Sequence, residues 1–136
     1  MTVRPATADD LAAITAIQEA SPEASRWDPA SYLGYECSVA TSGGRVLGFL
    51  VTRQIVADER EILNLAVDPP ARRRGVARKL LESELRRAKT RWFLEVRESN
   101  SSAIKLYESA GFREAGRRES YYTNPGESGI VMKFDS

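Results

Sequence analysis

The sequence predicts an α/β (α+β) protein in which helices pack against a central sheet. Residues 38–56 form two apolar runs around Gly43-Gly44, a pattern typical of a β-hairpin. At Gly75 the apolar spacing changes from that of a strand to that of a helix, and residues 91–110 repeat the change. Strands and helices therefore follow one another along the chain.

The first elements are a short strand near residues 2–4 and a helix that begins after residues 7–10. The segment Thr-Ala-Asp-Asp at 7–10 is typical of a capping box, and the apolar residues after it share one helix face. Residues 21–35 indicate a loop with a short irregular helix, and such loops often line a functional site.

Two pairs of a strand and a helix follow the hairpin. The apolar run 62–67 indicates an inner strand, and from Gly75 the leucines fall on one stripe of a helix. Residues 91–96 alternate as a strand, and a helix over 101–110 ends at Gly111, a residue suited to a left-handed C-terminus. The last predicted elements are a turn at 124–126 and a strand at 130–134.

Composition excludes several classes of function. We expect one domain over residues 1–136, and the balance of 20 Lys+Arg against 19 Asp+Glu argues against a nucleic-acid partner. No run approaches the ~20 apolar residues of a membrane span, so we expect no membrane partner. The single cysteine, Cys37, excludes an internal disulfide and fits a cytoplasmic protein.

The sequence contains no histidine. This excludes Ser-His-Asp and Cys-His triads and zinc sites built on histidine, and we expect no metal. Acid and base chemistry would therefore fall to Glu, Asp, Tyr or Lys.

The junction at residues 67–78 carries the strongest chemical signal. A helix that begins here offers unpaired N–H groups and the positive end of its dipole, which together favour a phosphate group. Gly75 and Ala77 let a ligand approach the main chain, and arginines supply charged donors around them. These arginines are Arg72, Arg73, Arg74 and Arg78. The pattern fits a pyrophosphate; alternatively, Gly75 only sets a turn and the arginines form a solvated face.

Residues 72–77, Arg-Arg-Arg-Gly-Val-Ala, resemble the Gln/Arg-x-x-Gly-x-Gly/Ala signature of the GCN5-related N-acetyltransferases (GNAT). Leu-Glu-Val-Arg-Glu-Ser-Asn at 94–100 and Leu-Tyr-Glu-Ser-Ala-Gly-Phe at 106–112 are similar to the RimI-like branch, the ribosomal-protein alanine N-acetyltransferases. Arg-Arg-Glu-Ser-Tyr-Tyr at 117–122 adds to the likeness, which extends over residues 63–134. The resemblance implies a mixed, mostly antiparallel sheet of six to seven strands flanked by about four helices.

The resemblance also implies an activity and its residues. The protein would be an acetyl-CoA-dependent N-acetyltransferase, and the acceptor would be the N-terminal α-amine of a protein such as a ribosomal protein. Glu95 would be the general base and Tyr107 the general acid, although each is by itself an ordinary polar or amphipathic residue. The residues implied to hold acetyl-CoA are Leu65, Ala66, Val67, Arg72, Arg73, Arg74, Gly75, Val76, Ala77, Arg78 and Asn100.

Two alternatives stay open at this point. The same scaffold could acetylate a small-molecule amine or a lysine, although the lower pKa of an α-amine, ~8 against ~10.4 for lysine, favours a protein N-terminus. The chain could also be a non-catalytic module that binds acetyl-CoA. The sequence predicts neither the oligomeric state nor whether Trp27, Tyr121 and Tyr122 line the acceptor cleft.

Overall fold

The computed structural model describes residues 1–22, 27–123 and 126–135, and of residues 120–123 and 126 it describes the backbone alone. Within these ranges there are seven strands and three α-helices. The strands are β1 (Thr2–Pro5), β2 (Glu36–Ser42), β3 (Arg45–Val56), β4 (Glu59–Val67), β5 (Arg91–Arg97), β6 (Arg113–Thr123) and β7 (Gly126–Asp135). The α-helices are α1 (Leu11–Glu19), α2 (Val76–Arg87) and α3 (Ser101–Ser109), and 3₁₀ helices occupy Ala8–Asp10, Pro29–Gly34 and Pro69–Ala71.

The seven strands form one sheet in the order β1-β2-β3-β4-β5-β7-β6. Strands β4 and β5 run parallel, whereas β1 with β2, β2 with β3, β5 with β7, and β6 with β7 are antiparallel. This confirms the expected mixed, mostly antiparallel sheet. Strand β6 was not predicted, and Asn124 and Pro125 of the expected turn lie outside the described residues.

The chain divides into two compact units, Met1–Arg53 with Leu63–Ala88, and Gln54–Ile62 with Lys89–Ser136, so β3 and β4 each contribute to both. In the first unit, α1 and the 3₁₀ helix at Pro29–Gly34 bury apolar side chains against β2, β3 and β4. These side chains are Ile14, Ile17, Tyr32, Cys37, Val39, Phe49, Val51, Leu63 and Ala66. The single domain expected over the whole chain stays a prediction.

The predicted capping box is present at the start of the first helical segment. The Thr7 N–H donates to Asp10 Oδ2 at 2.8 Å, and the guanidinium of Arg4 binds both Asp10 oxygens at 2.8 and 2.9 Å. These hydrogen bonds, from Arg4 first and then from the Thr7 N–H, outweigh burial and lower the pKa of Asp10. The carboxylate therefore joins β1 to the helix only while it is ionised.

We expect Asp10→Asn to lower the free energy of unfolding by about 1 kcal/mol near neutral pH, the usual value of a lost cap. Because the folded pKa of Asp10 lies below its unfolded value, this stabilisation is full above the unfolded pKa and disappears as the pH falls through the folded pKa. Thermal unfolding of both proteins at about pH 7 and about pH 3 checks this. A difference of the same size at both pH values would contradict it.

In the second unit, the Phe112 ring contacts both Tyr107 of α3 and Phe134 of β7. The Asn100 side chain caps α3 by accepting from the Ala103 N–H at 3.3 Å. Gly111 follows α3 with φ +110°, and a Cβ there would come within 2.8 Å of the Phe134 ring. Glycine is therefore required both for this backbone conformation and for the close approach of β7.

None of the helices in the described part of the chain has the length and apolar character needed to cross a bilayer.

Candidate active site

The turn between β4 and α2 adopts an unusual backbone. Gly75, the N-cap of α2, has φ +79°, and Arg73 has φ +64°, the only positive φ of a non-glycine residue in the described ranges. Such a φ is uncommon for a residue with a Cβ and is most often kept at functional positions. Successive residues of alternating backbone handedness can form a concavity that binds anions, and residues 73–75 have the alternating signs of φ that this requires.

The first turn of α2 adds further donors. No side chain caps this helix, and the N–H of Lys79, bonded to the Gly75 carbonyl at 3.0 Å, belongs to the helix ladder. The N–H groups of Val76, Ala77 and Arg78 therefore have no acceptor within the helix. With the helix dipole they form a place for a negatively charged group.

The four arginines of this junction differ in their contacts. Arg73, Arg74 and Arg78 are exposed, and Arg78 also pairs with Glu82 at 3.4 Å. Arg72 is held by the protein itself, because Nε donates to the Val67 carbonyl at 3.1 Å and Nη2 donates to Ser21 Oγ at 3.0 Å. Arg72 thus ties the end of α1 to the end of β4.

The predicted cosubstrate strand, Leu65 to Val67, is anchored by a buried polar group that the sequence analysis missed. Asn64 accepts from the Leu65 N–H at 3.0 Å and donates to Gln18 Oε1 at 3.1 Å and to the Tyr32 hydroxyl at 3.0 Å. Asn64 within the apolar run 62–67 was the only sequence signal for this group. The network fixes the backbone conformation at the centre of β4.

Glu95 lies in β5 on the face opposite the buried Trp92, Leu94 and Val96, as its alternation predicted. Its side chain is 20% exposed, and Oε1 is buried without a hydrogen-bond donor among the described residues. Arg118 Nε lies 3.1 Å from this oxygen, but its N–H is not aligned with it, so the contact is an ion pair. Oε1 therefore keeps a free position for accepting a proton.

Tyr107 is the one buried side chain of α3 and packs against the Phe112 ring, with ring centres 5.6 Å apart. Burial raises the pKa of its hydroxyl, so the side chain is a neutral phenol at neutral pH. No described side chain forms a hydrogen bond with that hydroxyl. No contact with another described side chain therefore uses the Tyr107 proton.

Residues 65–78 occupy one continuous segment of the first unit, whereas Glu95, Asn100 and Tyr107 lie in the second.

A cavity of the first unit, lined by Arg4, Cys37 and Arg87 among others, includes none of the predicted site residues. Burial raises the pKa of Cys37 to about 12, so its thiol is not reactive. In the described ranges no group of three or more His, Cys, Asp and Glu side chains is placed to hold a metal ion.

Comparison with known proteins assigns the class. The model of the Acetyltransferase (GNAT) family matches residues 7–112. The [ribosomal protein bS18]-alanine N-acetyltransferase of Escherichia coli (strain K12) is 44% identical over 108 residues, which are 74% of this chain and 70% of that protein. The crystal structure of the ribosomal-protein-S18-alanine N-acetyltransferase from Escherichia coli gives a TM-score of 0.83 at 35% identity, over 98% of this chain and 92% of that one.

A GNAT family acetyltransferase from Elizabethkingia anophelis, whose crystal structure has acetyl-CoA bound, shares the fold with a TM-score of 0.76 at 19% identity, over 99% of this chain and 97% of that one. The fold and these matches make the protein an N-acetyltransferase. The chain belongs to the GNAT acetyltransferase family, and the predicted family is confirmed.

Proposed function

We propose that the protein transfers the acetyl group of acetyl-CoA to the N-terminal α-amine of a protein, with a ribosomal protein that begins in alanine as the acceptor. The turn at residues 73–75, with two left-handed residues before an uncapped helix, carries the proposal because it suits the pyrophosphate of acetyl-CoA. The name of the relative at 44% identity supports the acceptor. A ribosomal acceptor also supports a cytoplasmic location, and the match of one family model to residues 7–112 supports one functional domain over residues 1–136.

The proposed cosubstrate site consists of main chain and arginines. The N–H groups of residues 75–78 and the side chains of Arg73, Arg74 and Arg78 would hold the pyrophosphate. Small Ala77 leaves the main chain accessible, and the backbone of residues 65–67 would hold the pantetheine arm. The side-chain roles of Arg72 and Asn100 rest on the family likeness, since both groups already make hydrogen bonds within the protein.

The chemistry of the transfer is assigned to two side chains. Bound acetyl-CoA supplies the acetyl thioester. Glu95 would take the proton of the attacking amine, directly or through one water, because buried Oε1 accepts no hydrogen bond from a described residue. Tyr107 would give its proton to the departing sulfur, and an N–H near Ala66 or Val67 would stabilise negative charge on the carbonyl oxygen.

A peptide pair tests the acceptor. The first peptide carries the N-terminal sequence of a bS18 protein beginning in alanine, and the second has the same sequence with a blocked N-terminus and one added lysine. We expect acetyl transfer to the first peptide, measured by thiol release and by peptide mass, and none to the second. Transfer to the lysine or to small amines alone would reject the N-terminal acceptor, and absence of all transfer despite tight acetyl-CoA binding would indicate a binding module.

A further inference from the structure

A cation contacts the Glu95 carboxylate from two strands away. Arg118 of β6 lies 3.1 Å from Glu95 Oε1 of β5, although β7 runs between the two strands. The Arg118 side chain is 58% exposed, whereas that of Glu95 is 20% exposed. A largely solvated cation therefore reaches across one strand to a mostly buried carboxylate.

The strand register explains how Arg118 reaches it. Arg118 is opposite Gly129 in β7, and Gly116 is opposite Val131, which is itself the β7 partner of Glu95. Residues two apart in a strand share a face, so these five residues lie on the same face of the sheet. Because Gly116 and Gly129 have no side chains, the stem of Arg118 can cross β7 diagonally over roughly two strand spacings, ~10 Å.

The geometry of the Arg118–Glu95 contact is compatible with a role of Glu95 as a base. An aligned N–H would use one lone pair of Oε1, whereas the ion pair restricts the carboxylate and leaves both lone pairs of that oxygen able to accept a proton. Holding a reacting group in its productive orientation contributes to the rate without a new bond to substrate.

We infer that Arg118 is a positioning residue that holds the Glu95 carboxylate for proton transfer. The inference rests on the proposed role of Glu95 as the base. It assigns Arg118 no contact with either substrate.

Arg117 provides a matched control on the same strand. It lies on the other face of β6, opposite Ile130, and pairs with Glu98 at 2.7 Å. Both side chains of that pair are substantially exposed, at 40% and 49%. Arg117→Gln thus removes the same charge one residue away without touching Glu95.

The test compares kcat and KM for Arg118→Gln, Arg117→Gln, Glu95→Gln and the Glu95→Gln/Arg118→Gln double variant. We expect Arg118→Gln to lower kcat about tenfold with KM for acetyl-CoA within about twofold, and Arg117→Gln to change kcat by less than about twofold. In the Glu95→Gln background, Arg118→Gln should cost less than about twofold, because a residue that acts through Glu95 has nothing left to position. Arg118→Lys should recover part of kcat, and thermal unfolding checks that each variant is folded.

Equal kcat for Arg118→Gln and Arg117→Gln, or an undiminished tenfold loss in the Glu95→Gln background, would overturn the positioning role. Failure of the proposed function has a different signature, because the wild-type protein would then not acetylate the alanine-initiated peptide. Failure of Glu95 as the base would appear as Glu95→Gln turning over like the wild type. That result would reject Glu95 as the base and the role of Arg118 with it. If Arg118→Gln fails to fold, Arg118→Lys in both backgrounds gives the same comparison.

Discussion

Tyr107→Phe should lower kcat by about 10²-fold while the affinity for acetyl-CoA stays within about twofold. The variant removes only the phenolic proton that the proposed mechanism gives to the departing sulfur. Since no described residue bonds to this hydroxyl and the ring stays packed on Phe112, the fold should lose little stability. Steady-state kinetics with an alanine-initiated peptide, beside thermal unfolding, measure the two effects separately.

Tyr32→Phe is the matched control for this loss. The Tyr32 hydroxyl donates to Gln18 Oε1 and accepts from Asn64, so its removal should lower the free energy of unfolding by about 1–2 kcal/mol. We therefore expect Tyr107→Phe to lose mainly turnover and Tyr32→Phe to lose mainly stability. Turnover by Tyr107→Phe at the wild-type level would remove Tyr107 from the mechanism.

Gly75→Val should weaken coenzyme A binding by about 30-fold, equivalent to about 2 kcal/mol of the strain of a left-handed non-glycine residue. A Cβ at Gly75 would meet no atom within 4 Å, so the cost comes from φ +79° and not from a clash. A valine there would relax the turn and move the N–H groups that open α2. Calorimetry with coenzyme A measures the change in Kd.

Gly44 in the β2–β3 hairpin gives a control of the same conformation, with φ +78° and open space around its Cβ position. We expect Gly44→Val to lose stability as Gly75→Val does but to bind coenzyme A like the wild type. If both variants bound it equally well, the turn at residues 73–75 would not be the phosphate site.

The sequence predicted the elements in which buried apolar residues recur with the spacing of a strand or a helix. Helix α2 and strand β5 each bury one face, and the centre of β3 is buried on both faces. The hairpin, α2, β5 and α3 were each found close to their predicted limits. Strand β6 was missed because Arg113–Thr123 is mostly polar and has no regular alternation; its pairing with β7 holds it. Strand β4 begins at Glu59, earlier than expected, because its first residues are also charged.

The sequence predicted those parts of the candidate site that lie within short motifs. The motif predicted a turn before the helix at Gly75, which the structure contains, and the likeness alone assigns Glu95 and Tyr107 their proposed roles. The positive φ of Arg73 has no signature in the sequence, since arginine carries no preference for it. The Arg118–Glu95 pair depends on register across three strands, which one sequence without its fold does not reveal.

Strand β7 is the last strand along the described chain, yet it lies between β5 and β6. During synthesis, neither neighbour has its full set of partners until residues 126–135 have left the ribosome. A nascent chain that stops before Gly126 would present two unsatisfied strand edges, one of them on the strand that carries Glu95. Termination before Gly126 would therefore yield an aggregation-prone polypeptide and not a weakened enzyme.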